Sequence, residues 1–302
     1  MRLLSRHKPV LRFALFFALV LLPVGAGEAY VRSLPNAAKA KHAFLTAHSK
    51  EVDVLVLGSS HTYYGIEPQL LSAHAYSAAM VSQTLRYDDY LLHHYAFPRL
   101  RCVIVPVSDF TLYEELEGTA SWYLANRYRL YMNCDVHPRL SVYDWECTAF
   151  PAFCEKLKSL WQAPKMHWSA YGQGLEYTYE ARKADWDNGT VRAAANIYTD
   201  FSGATENMRH LQSIADFCKS HGARLVLVST PLSATYYDAL STPQEADKTQ
   251  RLKAFLRKNA CAEYHDMRRH PGITEADFYD ADHLNTRGAH AFTLLLRQAA
   301  KL

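Results

Sequence analysis

Three short apolar runs constrain this chain more than any other feature. Val52-Asp-Val-Leu-Val-Leu57 and Arg101-Cys-Val-Ile-Val-Pro-Val107 are nearly continuous and rich in β-branched residues. Arg224-Leu-Val-Leu-Val-Ser-Thr-Pro231 has the same character, and residues 75–80 and 262–267 read as two further short strands. Such runs suit strands buried on both faces of a parallel sheet. Helical patterns fall between them. The expected helices cover Pro68 to His74, Tyr87 to Tyr95, Met208 to His221 with Gly222 after its end, Lys248 to Asn259, and Thr286 to Lys301. Strands alternating with helices predict an α/β sandwich around a parallel sheet.

Residues 113–205 break the alternation. They are rich in Tyr, Trp, Arg and His, and the chain as a whole carries 20 Tyr and 5 Trp. The stretch reads as an insertion over the carboxyl edge of the sheet, where open α/β sheets build ligand sites. Tyr113, Trp122, Tyr123, Arg127, Tyr128 and Arg129 offer flat faces and fixed donors suited to a sugar. The competing reading gives the insertion's tryptophans to a small core of its own.

The N-terminus is basic and then apolar. Arg2, Arg6, Lys8 and Arg12 precede an uncharged stretch from Phe13 to Gly27, 15 residues long. As a helix it would extend about 22 Å, less than the roughly 20 residues of a comfortable span. A signal-anchor and a cleaved signal peptide both fit residues 1–30. Either places the remainder outside the cytoplasm, by the excess of positive charge at the N-terminal flank. Residues 31–50 read as a linker with a short helix, and residues 51–302 as the catalytic domain. The six cysteines suit an oxidising compartment. Cys134, Cys147 and Cys154 are close enough in sequence to allow a local disulfide, whereas Cys102 and Cys218 lie in apolar patterns and read as buried thiols. The formal net charge of +3 is small, no basic run suggests a nucleic-acid groove, and no cofactor or metal motif is recognised. Asn188-Gly-Thr190 is a glycosylation sequon, which matters only in a eukaryotic host.

Two short segments carry chemistry. Gly58-Ser-Ser60-His-Thr62 follows the first strand. A serine at a strand-to-helix turn exposes its hydroxyl and aims backbone N–H groups at a developing oxyanion. The alternative use of the serine is a helix N-cap. Asp280-Ala-Asp282-His283 precedes the last helix. Asp280 can hold one imidazole nitrogen of His283 while the other faces Ser60; Asp282 is the competing carboxylate, which its adjacent position points elsewhere. Taken alone, Asp-x-x-His is also compatible with a solvated turn or half of a metal site.

Together the two segments resemble the SGNH, or GDSL-like, hydrolase superfamily over roughly residues 50–300, the insertion excepted. Gly58-Ser59-Ser60 looks like its Gly-Asp-Ser block, with Ser59 in place of Asp, and Asp280 and His283 match its last block. The resemblance implies a flavodoxin-like three-layer α/β/α sandwich and a catalytic triad of Ser60, His283 and Asp280. Its second and third blocks are altered here. Ala78-Ala-Met-Val-Ser-Gln83 has no glycine, and Pro106-Val-Ser-Asp109 stands where Gly-x-Asn-Asp is usual. The Ser60 N–H is then the first expected oxyanion donor, with Ser82 the second choice and Ser108 an open position. Gly-Ser-Ser and the apolar N-terminus resemble more loosely the membrane-anchored branch that moves acyl groups on envelope glycans. That implies an O-acetyltransferase or acetylesterase acting on a cell-envelope or exported polysaccharide. The implied partners are an acylated glycan or acyl donor, the membrane itself and a membrane-bound O-acyltransferase. The rival function is a catalytically idle protein of the same fold that binds glycan or assists envelope assembly.

Overall fold

In the computed structural model, which describes residues 8–134, 136–137, 140–162 and 167–302, the five expected strands form one sheet. The strands are β1 (Val54–Val56), β2 (Ala75–Ser77), β3 (Cys102–Pro106), β4 (Arg224–Ser229) and β5 (Ala262–Asp266), all parallel, in the order β2-β1-β3-β4-β5. This is the flavodoxin-like order of a doubly wound sheet. Its switch point lies between β1 and β3, where successive crossovers leave toward opposite edges.

The helices in chain order are α1 (Lys8–Ser33), α2 (Ala37–His48), α3 (Ser60–Gly65), α4 (Leu85–His94), α5 (Asn126–Met132), α6 (Phe150–Leu157), α7 (Gly189–Ala195), α8 (Ala204–Ser220), α9 (Ala234–Asp238), α10 (Thr242–Lys258) and α11 (Thr286–Ala300). Side chains alternate across a strand, so each strand feeds two cores. Val54, Val56, Cys102, Ile104, Val226 and Val228 pack with Phe292, Leu296 and Ala300 of α11. The alternate residues Leu55, Val103, Val105, Leu225 and Leu227 are fully buried on the other face, the side of the packed pair α4 and α8. Nearly every residue of β1, β3 and β4 is apolar because neither face meets water, whereas β5 at the sheet edge is polar and only partly buried.

The chain divides into two compact units. One holds the sheet and comprises residues 37–124 and 167–302; the other comprises residues 1–36 and 125–166. The stretch 113–205 is therefore not one excursion. Its middle belongs with α1, and its two ends belong with the sheet. The helix expected at Pro68–His74 is a single 3-10 turn, Pro68–Leu70, because the true helix after β1 begins eight residues earlier, at Ser60. The helix expected from Lys248 starts at Thr242, with Pro243 in its first turn, where a missing N–H costs nothing. Gly222 follows α8 at φ 65°, the left-handed conformation of a helix terminus. All six cysteines are free thiols, so the local disulfide among Cys134, Cys147 and Cys154 is not formed. Cys102 and Cys218 are buried, and burial pushes the Cys102 thiol up to about 12.

The link from sheet to site is Gly58. It adopts φ 105°, which side chains of L residues rarely take, and a Cβ there would lie 2.2 Å from the ring carbons of Pro106. Gly58 thus lets the chain turn sharply from β1 into α3 beside the end of β3. Gly58→Ala should destabilise the sheet unit by at least about 1–3 kcal/mol in urea unfolding. Pro106→Ala in the same chain should restore the part that is steric. An unchanged midpoint for the single variant would contradict this reading of the turn.

Candidate active site

Ser60 is the first residue of α3. A helix leaves its first amide groups without intrahelical partners, and the Ser60 N–H is one of them. Ser59 turns inward, where its Oγ is buried without a hydrogen-bond partner. The turn is clasped from behind by α4. Asp88 Oδ1 accepts from the Gly58 N–H at 2.8 Å and from Gln83 Nε2 at 2.7 Å. Burial pushes Asp88 up to about 7, against the downward pull of Gln83 and the Gly58 amide. The same clasp accounts for the Ser82-Gln83 segment. Met80 N–H donates to the Gly58 carbonyl, Gln83 N–H closes a turn onto Met80, and Ser82 inside that turn has φ 56°.

His283 comes from the loop before α11, and that loop is built to hold one shape. Asp280 Oδ1 accepts from the backbone N–H groups of Asp282 at 3.2 Å and His283 at 2.9 Å. Asn285 caps α11 through Gly288 N–H and donates back to the carbonyls of Ala276 and Phe278. Thr274 and Asp277 form a capping box at its start. The outcome is a fixed imidazole. His283 Nε2 lies 2.7 Å from Ser60 Oγ, and His283 Nδ1 lies 2.9 Å from Asp280 Oδ1. Serine, imidazole and carboxylate stand in line at the carboxyl edge of the sheet, next to the switch point.

Asp282 does not point away, as its place beside His283 suggests. Its Oδ1 lies 3.4 Å from His283 Nδ1 and accepts from Arg192 Nε, while its Oδ2 faces His61 Nε2 at 3.3 Å. His61 Nδ1 in turn meets Ser108 Oγ at 2.7 Å. Arg192 Nη1 lies 3.5 Å from Asp280 Oδ2, so one guanidinium braces both carboxylates. Burial alone would raise Asp282, but His283 and His61 hold it far below the ordinary carboxylate range. Burial would likewise lower His283, yet Asp282 and then Asp280 outweigh it and raise His283 to about 9.

A metal needs a different balance here. His61, Asp282 and His283 present ligand atoms within 4.8 Å of one another. Arg192 already places a cation on Asp282, with its Nη2 3.4 Å from His283 Nδ1. That charge opposes a metal ion, and the set serves better as a proton and orientation network.

Rings flank the imidazole. Tyr64, Tyr177 and Tyr279 form a continuous stack with centroid separations of 3.8 and 3.9 Å, and Tyr177 meets His283 edge-on at 5.3 Å. Burial pushes the Tyr177 phenol up to about 12, which keeps it neutral. Tyr177 and Arg192 belong to the stretch 113–205, but they are not the residues the composition singled out. Tyr113 instead bonds Gln244 and Asp247 and packs on Tyr198 and Phe201. Trp122 and Tyr123 meet each other edge to face, and Arg127, Tyr128 and Arg129 lie in the other compact unit. Arg192 and Tyr177 carry no motif, and only the folded chain brings them to His283. His61 and Ser108 lie inside segments the sequence marks, without a signal for their pairing.

No family model and no curated protein matches this chain. Among solved structures it is similar to a "putative acylhydrolase" from Bacteroides fragilis, with 12% identity, 89% of this chain and 98% of that one covered, and a TM-score of 0.41. It is also similar to a "putative platelet activating factor" from Streptococcus pneumonia, with 10% identity, coverage of 95% and 98%, and a TM-score of 0.44. A GDSL-like lipase from Bacteroides thetaiotaomicron gives 11% identity, coverage of 88% and 98%, and a TM-score of 0.43.

The charge balance sets a pH dependence. His283 accepts a proton only when neutral, so any activity that uses it as a base should rise with pH along a limb near 9 in kcat/KM. Asp282→Asn removes the strongest upward pull and should move that limb down toward the ordinary imidazole range. Stability carries the opposite sign. His283 is raised above its unfolded value of about 6.5, so its contribution is complete below that pH and is lost as pH rises through about 9. A limb that stays in place in Asp282→Asn would contradict this assignment of the field.

Proposed function

We propose that this chain is a serine acyl-ester enzyme acting outside the cytoplasm on a cell-envelope or exported polysaccharide. One observation carries the reading: Ser60 Oγ lies 2.7 Å from His283 Nε2, whose other nitrogen is held by Asp280. Ser60 attacks the ester carbonyl as neutral His283 takes the hydroxyl proton. The tetrahedral oxyanion forms beside the Ser60 N–H. Ser82, in the turn tied to Gly58, is the second proposed donor. The ester C–O bond breaks, the leaving alcohol takes the proton from His283, and an acyl group, proposed to be acetyl, stays on Ser60. Water or a sugar hydroxyl then attacks the acyl carbonyl as it gives its proton to His283, and the acyl–Oγ bond breaks as His283 returns that proton to Ser60 Oγ. The acceptor decides between acetylesterase and O-acetyltransferase. Asp280 orients the imidazole, and Asp282, braced by Arg192 and His61, is a positioning residue that strengthens the base.

Two further features support the substrate and the place. The stack of Tyr64, Tyr177 and Tyr279 beside His283 ends at half-buried Tyr279, whose outer side is proposed to receive a sugar ring, since Tyr64 is buried and Tyr177 lies between the other two rings. The helix from Val10 to Ser33 is long and apolar enough to cross a membrane, and large apolar side chains along it, from Val10 and Leu11 to Leu22 and Val24, are exposed. With the basic residues before it, this supports an anchored or secreted enzyme; a membrane-bound O-acyltransferase is proposed as its acyl source.

Labelling with a fluorophosphonate probe tests the nucleophile. The parent should form a covalent adduct, Ser60→Ala should form none, and Ser59→Ala should label like the parent, since the Ser59 hydroxyl faces inward. Labelling that survives Ser60→Ala would overturn the assignment.

A further inference from the structure

The unit built from residues 8–36 and 125–162 has no role in the chemistry above. Its contacts show where it must lie if α1 spans a bilayer. The uncharged stretch of α1 ends at Gly27, and its 15 residues extend about 22 Å. A hydrocarbon core is about 30 Å thick. The span is therefore short by about a turn and a half, and residues just after Gly27 are drawn to the polar boundary of the bilayer.

Those residues are the ones that hold the lobe. A Cβ at Gly27 would lie 3.0 Å from the Phe153 ring and 3.6 Å from Leu157, so α6 packs directly against the helix there. One residue on, Glu28 accepts from the backbone N–H groups of Glu146 at 2.8 Å and Cys147 at 2.9 Å. Tyr30 meets Ser159, and Arg32 donates to the Asp144 carbonyl. A lobe fixed to positions 27–32 of a short span sits at the membrane surface.

Its apolar side chains fit that place. Phe150, Phe153 and Leu157 follow the spacing i, i+3, i+7 on one face of α6, and Leu160 ends the 3-10 turn that continues it. The middle of the stripe packs on α1. Its two ends do not: Phe150 is 65% exposed, Leu160 54%, and the adjoining Trp161 82%. Large apolar groups on both sides of a helix contact, with tryptophan among them, match the composition of a membrane boundary.

We infer that the lobe formed by residues 125–162 is a membrane-interface platform, in which Phe150, Leu160 and Trp161 insert among the lipids that surround α1. This rests on the reading of α1 as a membrane span, and the experiment separates the two. The full chain is reconstituted in phosphatidylcholine vesicles whose acyl chains carry bromine near the headgroup, a short-range quencher of tryptophan. One variant keeps Trp161 as its single tryptophan. A second has no tryptophan except one introduced by Phe17→Trp inside the span. Both emissions should fall severalfold relative to unbrominated vesicles. Phe150→Glu with Leu160→Glu should restore most of the Trp161 emission and leave the reporter in the span quenched. Quenching of the span reporter with Trp161 unaffected would overturn the platform while leaving the span intact. An unquenched span reporter would remove both.

Discussion

The site depends on two carboxylates sharing one imidazole. Asp280 and Asp282 both reach Nδ1 of His283, at 2.9 and 3.4 Å, and like charges so close repel unless something stands between them. Arg192 supplies that, touching Asp282 through Nε and Asp280 through Nη1. His61 and Ser108 hold the far side of Asp282. With Asp282 drawn toward Arg192 and His61, Asp280 keeps the shorter bond to His283 and a bond to the same residue's backbone. The serine is thus addressed by an imidazole whose tilt is fixed from two directions. The cost is basicity: a histidine raised to about 9 must lose its proton before it can act as a base.

The other half of the site is held by backbone geometry. Gly58 turns the chain between β1 and α3 at φ 105°, and Asp88 fastens that turn and Gln83 through one carboxylate oxygen. The arrangement joins two segments that the proposed chemistry uses together: the amide of Ser60 at the start of α3 and the Ser82 turn. Because Asp88 is fully enclosed and raised to about 7, its two hydrogen bonds hold a carboxyl group in a setting that resists its charge. The nucleophile turn is therefore anchored to α4 by an interaction that is itself sensitive to pH.

Much of this was legible in the chain. Residues buried on both faces of a parallel sheet must be almost continuously apolar, so β1, β3 and β4 stand out, and the five strands follow in sequence order. Ser60, Asp280 and His283 are readable because the sheet topology brings the end of β1 and the loop before α11 to one edge. Local pattern fails where tertiary partners decide. The helix after β1 was displaced to Pro68, since Ser60-His-Thr-Tyr-Tyr-Gly65 has β-branched and aromatic residues of modest helix propensity. Arg192 and Tyr177 are unmarked in sequence, because a residue of the 113–205 stretch gains its role only from what it is folded against. That stretch reads as one insertion by composition, yet its middle is held by Glu28 and Gly27, far away in sequence. The cysteine cluster misleads for a similar reason: closeness along the chain does not bring the sulfurs together.

The most direct test of the account is to trap the acyl group. The protein is mixed with p-nitrophenyl acetate at a pH near the raised limb of His283, quenched in acid within the first turnovers, digested and mapped by mass. The account predicts a single acetyl group on the peptide containing Ser60, absent in Ser60→Ala. Ester turnover with the acetyl group carried by another residue, or with undiminished release of p-nitrophenol in Ser60→Ala, would contradict it.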